Sequence, residues 1–304
     1  MLNNITALFL ISGATLWGLN FHLAKFMLSS ASFIEAGFWR YLFGVGFLIV
    51  VQAIFRSKLP SKKDLLEGWK RYFLAGFIGL FGFNIFFFLG LKYTTALNAA
   101  LQVSLNPILT LFFAYWMLGT AIHRHQVVGT IIAIFGVFIL LTKGSPWSLV
   151  EVDWSIGDLL IFGANVLFAI HHIWVKKYNN SSLSNVSFTM ITNGLCLAGF
   201  LILLSFTDLT PVYQLDSIFW LSALGIGVLG TGLAYILWNE GVKRTGAAQA
   251  GFIMNVVPFA TAVFAVIFGE QVESYHLVSG GLIFIGMLYF QGYMDRLAST
   301  ISTR

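Results

Sequence analysis

Three amides recur at intervals of four, Asn98, Gln102 and Asn106, and Pro107 follows the last of them. On a helix of 3.6 residues per turn each step of four advances about 40°, so the three share one slowly turning stripe. Pro107 has no amide hydrogen, which leaves the Val103 carbonyl one turn earlier without its helical donor. Amides beside a free carbonyl can hydrogen-bond a polar solute. The competing reading is interhelical glue, worth about 1–2 kcal/mol at most. Gln249, Asn255 and Pro258 repeat the device less regularly. Trp17 and Asn20 place an aromatic face beside an amide, which suits an amino acid or, through cation–π attraction, an organic cation.

The titratable candidates are few. His22 and the adjacent His171 and His172 change charge near neutral pH. No Cys or carboxylate accompanies them at metal-ligand spacing, so neither a metal site nor a cofactor is expected. Arg40, Glu35 and Glu240 are candidates for coupling or for meeting a substrate charge, although Glu35 lies five positions from Arg40, a poor helical pairing. Nucleophile elbow, zinc helix and P-loop are all absent, which argues against an enzyme and against a self-contained ATP-driven pump.

The elements that must position these groups are apolar. Of the 304 residues, 58% are hydrophobic and 10% charged, against roughly 25% charged in soluble domains. A hydrocarbon layer about 30 Å thick takes about 20 apolar residues per helix. Such windows fall at 6–27, 33–55, 72–91, 97–118, 126–142, 156–177, 185–206, 218–240, 248–269 and 275–293. Alternating ten-residue segments, the mark of a barrel, are missing. The expectation is an all-α membrane protein of ten transmembrane helices. Asn84, Asn165 and Asn193 then fall near mid-depth, each as glue or ligand, and the single Cys196 is expected to pack. The Gly sets 76, 79, 82 and 225, 227, 230, 232 read as points of close helix contact.

Charge sets the orientation. With the N-terminus inside, Arg56, Lys58, Lys62, Lys63, Lys70, Arg71, Arg124, Lys176, Lys177, Lys243, Arg244, Arg296 and Arg304 are cytoplasmic, thirteen of the 17 basic residues. Glu151, Asp153, Asp158, Asp208, Asp216, Glu270 and Glu273 lie opposite. That bias marks a bacterial-type inner (plasma) membrane with both termini cytoplasmic, and it makes nucleic acid an improbable partner. The partners expected are the bilayer and a small-molecule substrate, with the chain a monomer or a homodimer.

The chain also repeats itself. At an offset of 151, Gly76, Gly79, Gly90, Lys92, Thr94, Ala96, Pro107 and His125 fall on Gly227, Gly230, Gly241, Lys243, Thr245, Ala247, Pro258 and His276. At 150, Gly13-Ala14, His22 and Gly44 fall on Gly163-Ala164, His172 and Gly194. Residues 1–143 and 144–304 therefore read as two copies of a five-helix unit. Five is odd, so the second copy must lie upside down, an architecture of secondary transporters whose substrate sits where the halves meet.

In order and spacing, several pieces resemble the EamA type of the drug/metabolite transporter superfamily. They are Leu16-Trp17-Gly18-Leu19-Asn20-Phe21, Phe38-Trp39-Arg40-Tyr41, Gly90-Leu91-Lys92-Tyr93-Thr94, Asn106-Pro107, Pro258 and Phe268-Gly269-Glu270. The resemblance implies a ten-helix bundle around a central cavity, serving export of amino acids or other small metabolites, with multidrug export as the alternative; a channel and a membrane-embedded enzyme are lesser alternatives. Leu118-Gly119-Thr120 departs from the family's Leu-Gly-Glu at the end of the fourth span, whereas the second half keeps Glu270.

Overall fold

The computed structural model describes residues 4–55, 61–119, 121–144, 155–178, 184–245, 253–254, 256–290 and 292. Among the described residues every regular element is helical, as expected where a segment must satisfy its own backbone groups away from water. The first half holds α1 (Asn4–Leu28), α2 (Phe33–Ile54), the short α3 (Lys62–Glu67) and α4 (Trp69–Tyr72). The chain continues from α4 through a π-helical segment, Phe73–Phe81, into α5 (Gly82–Tyr93). It closes with α6 (Ala96–Val103), α7 (Asn106–Leu118) and α8 (Arg124–Leu141). The second half holds α9 (Ile156–Tyr178), α10 (Asn185–Leu204) and α11 (Ser217–Leu224). A second π segment, Gly225–Leu233, leads into α12 (Ala234–Thr245), and α13 (Val256–Ile267) and α14 (Ser274–Phe290) complete it.

Among the described residues six helices are long and apolar enough to cross a membrane: 5–28, 33–54, 69–93, 156–174, 186–204 and 217–238. The span expected to run unbroken over 97–118 is instead two helices, α6 and α7, bent by 41°. The break falls at Ser104-Leu105, next to the turn that Pro107 cannot close with an amide hydrogen. Three further apolar helices, 124–140, 256–267 and 274–290, are shorter. Side chains that a soluble protein would hide stand outward, such as Trp116 at 78% exposure and Leu277 at 70%. A lipid-facing surface accounts for them.

The two π segments occupy places that the internal repeat maps onto one another to within a residue. Each wide turn is rich in glycine and lets a neighbouring backbone come close. A Cβ on Gly76 would stand 2.9 Å from the Thr192 carbonyl, and one on Gly227 would stand 2.8 Å from that of Arg40. The packing partners repeat as well. α2 lies against the second π segment and α10 against the first; α1 packs on α12 and α13, while α9 packs on α5, α6 and α7. α2 and α10 pair with each other, as do α8 and α14. The largest buried cluster draws Trp17, Phe21, Tyr41 and Phe88 from the first half and Phe168, Cys196, Phe200 and Phe219 from the second. The core is therefore shared between the halves.

Candidate functional site

Where α1 and α2 meet the second π segment, polar groups bridge the halves. Trp17 Nε1 donates to the Gly230 carbonyl at 3.1 Å, and its ring packs against Tyr235 and Trp238 with centroids 5.3 and 5.0 Å away. Asn20 lies so close to Gly230 that a Cβ at that position would overlap its amide. Arg40 is buried, and its Nε donates to Thr231 Oγ1 at 3.0 Å. Its guanidinium lies 5.5, 5.7 and 5.8 Å from the ring centres of Tyr41, Phe87 and Phe88. Among the described residues no carboxylate pairs with Arg40; a hydroxyl and aromatic faces take that place.

Glu35 is used elsewhere. Its carboxylate accepts from the Ser32 amide and hydroxyl at the start of α2 and from the amide and hydroxyl of Thr210 at 2.7 and 3.1 Å. It therefore caps a helix and fastens the loop after α10 to that cap. Glu240 pairs with Arg244 at 2.7 Å one turn along α12, both side chains about 40% exposed, an interfacial arrangement.

The break divides the amide stripe, with Asn98 and Gln102 on α6 and Asn106 at the start of α7. Asn98 Oδ1 lies 3.1 Å from His276 Nε2 on α14. Gln102 donates to Asp158 Oδ1 at 2.9 Å, which also accepts from Thr94 at 2.7 Å. Asn106 donates to the Asn165 carbonyl at 3.2 Å and accepts from Thr110 at 3.3 Å. The stripe thus bridges to α14 and α9 of the second half. No hydrogen bond joins it to Trp17, although α1 packs on α6. Pro107 is the second residue of α7, and Pro258 is buried in the first turn of α13. Gln249 and Asn255 lie outside the described residues.

Asn84 donates to Tyr41 Oη at 2.7 Å and to the Leu80 carbonyl at 2.8 Å. His171 Nδ1 meets the Ala75 carbonyl at 2.8 Å, and the neighbouring His172 ring sits 4.3 Å from that of Phe168. Amide oxygens of Asn20, Asn84 and Asn193, and both polar atoms of Asn165, are buried without a protein partner.

A third bridge forms where α13 ends. Gly269 takes a left-handed φ of 80°, and the Glu270 amide bonds back to the Ala265 carbonyl at 2.8 Å, a glycine-dependent helix stop. This turn swings Glu270 towards α1, where its carboxylate stands 3.6 Å from His22 Nδ1. His22 Nε2 meets the Thr261 carbonyl at 2.9 Å. Sequence reasoning read Asp158 and Glu270 chiefly as topology charges and His276 as a repeat match. Their partners lie in the opposite half, and periodicity within one helix carries no information about what faces it.

A family model described as "EamA-like transporter family" matches residues 4–142 and again 155–290. The uncharacterized transporter YyaM of Bacillus subtilis (strain 168) is 30% identical over 90% of both chains. The aromatic amino acid exporter YddG of Ancylobacter novellus is 23% identical, over 69% of this chain and 72% of that protein. A solved crystal structure is similar in fold, with a TM-score of 0.67 and 19% identity over 93% of this chain and 97% of the other.

Proposed function

We propose, from the premise that the chain belongs to the EamA-like transporter family, that it is a secondary carrier exporting a small amino-acid-like metabolite by alternating access. Family membership makes it an integral membrane transporter and not an enzyme. The finer reading has all ten apolar segments crossing the inner membrane as two inverted five-helix units, 1–143 and 144–304, with both termini cytoplasmic. Three observations support it: the family model matches twice, the π segments fall in register, and each half packs reciprocally on the other.

The observation that carries the substrate reading is the polar seam. Trp17–Gly230, Arg40–Thr231, Gln102–Asp158 and Asn106–Asn165 all cross from one half to the other. Buried amide oxygens beside them lack partners, and leaving such a group unmade costs about 1–3 kcal/mol. A solute carrying N–H donors would satisfy them in passing. That chemistry fits an amino acid, the kind of cargo named for the YddG relative. The second reading, an organic cation, rests on the Trp17, Tyr235 and Trp238 cluster, whose ring faces attract positive charge.

Counterflow in proteoliposomes with pooled amino acids, nucleosides and cationic dyes separates the readings. Saturable exchange of amino acids is the expected result. Exchange confined to dyes would favour the organic-cation reading, and unsaturable flux would exclude a carrier.

A further inference from the structure

The cleft between the end of α1, the start of α6 and the turn after α13 holds two opposite charges that do not meet. It is an open groove of about 320 Å³, at the lower end of the roughly 300–1,000 Å³ of ligand sites. Its lining includes His22, Lys25, Phe26, Thr95, Phe268 and Glu270. Lys25 and Glu270 lie within electrostatic reach of each other. Even so, among the described residues Lys25 makes no ion pair within 4 Å. Between them the cleft offers an ammonium and a carboxylate on one wall each, both partly withdrawn from water, where charge attraction is stronger than in bulk. The rings of Phe26 and Phe268 meet edge to face beside them, centroids 5.0 Å apart.

From this arrangement we infer a binding site for a zwitterionic α-amino acid with an apolar or aromatic side chain. Glu270 takes the ammonium, Lys25 the carboxylate, and the Phe26–Phe268 pair the side chain. His22 is a positioning residue: held by the Thr261 carbonyl on one nitrogen, it presents the other to Glu270. A monocation or a monoanion would satisfy one charge and leave the other unpaired, so recognition demands both ends at once. The cleft is built from both halves, α1 and α6 facing α13, so any relative movement of the halves reshapes it. It is also confined to one end of the molecule. The corresponding turn of the first half reads Leu118-Gly119-Thr120 and carries no acid.

The site rests on the amino-acid reading proposed above, and its test is arranged to fail separately from it. In proteoliposomes, counterflow of labelled L-phenylalanine is competed with L-phenylalanine, phenethylamine and 3-phenylpropionate, for the unmodified protein and for Lys25→Gln and Glu270→Gln. The unmodified protein should prefer the zwitterion over either analogue by roughly tenfold, the scale of one charge-assisted hydrogen bond. Lys25→Gln should lose the preference over phenethylamine alone, and Glu270→Gln that over 3-phenylpropionate alone. Misfolding would lower all competition equally and would not switch the ranking; variants lacking the unmodified protein's melting profile are replaced by Lys25→Met and Glu270→Ala, to which the same switch applies. Exchange of L-phenylalanine with an unswitched ranking overturns the site and spares the carrier reading. No exchange of any amino acid overturns both.

Discussion

Gln102 shows what a single side chain does in this seam. It is 2% exposed and donates to Asp158, whose oxygen it shares with Thr94. Gln102→Leu conserves volume but removes a hydrogen bond to a carboxylate, an interaction of about 1.5–3 kcal/mol. If the stripe belongs to the transport path, counterflow should fall roughly tenfold or more while the solubilised variant stays monodisperse. Unaltered saturation kinetics would make the stripe a brace between helices. The spacing of four is readable from the chain alone, but the break that sets Asn106 on a separate helix is not. Nor are the partners, because Asp158, Asn165 and His276 come from elements far along the chain. Arg40 makes the same point: its burial raised the need for a partner, yet Thr231 and three aromatic rings are found only by folding.

The six long apolar helices fall within about three residues of the windows read from the sequence, since apolar length has a direct physical cause in the thickness of a bilayer; the break inside 97–118 is not legible that way. Nor are the π segments, because a nine-residue change of hydrogen-bond register leaves no hydrophobic period of its own. Their glycines read from the sequence as points of close helix contact, and the structure identifies what comes close, the Thr192 and Arg40 carbonyls. The α8–α14 pair depends on the same economy. A Cβ on Gly286 would stand 2.6 Å from the Ala133 amide nitrogen, with Gly129 facing it. Gly286→Leu should force these helices apart at a cost of about 1–3 kcal/mol, seen as a lower melting temperature and a smaller monodisperse fraction. A variant that melts like the parent would mean the pair tolerates wider spacing.

For the molecule as a whole, the inverted-repeat reading makes a geometric demand. Lys62 and Arg71, between α2 and the first π segment, must face one compartment, and Asp208 and Asp216, between α10 and α11, must face the other. Single cysteines placed at 63 and 213 in spheroplasts should react with a membrane-impermeant maleimide only at 213. Labelling of both from outside would remove the inversion. The residue matches at offsets of 150 and 151 are visible in the sequence, but the reciprocal packing appears only in three dimensions, because it joins α1 to α12 and α13 and α9 to α5, α6 and α7.

Such labelling has a convenience already built into the core. The chain's one thiol, Cys196, is wholly buried beneath aromatic rings, and a sealed sulfhydryl presents nothing to a water-borne electrophile. The native protein can thus serve as its own silent background. Fluorophores or spin labels introduced in pairs on either side of the seam would report the distance between halves, with no prior change to the interior they are meant to observe.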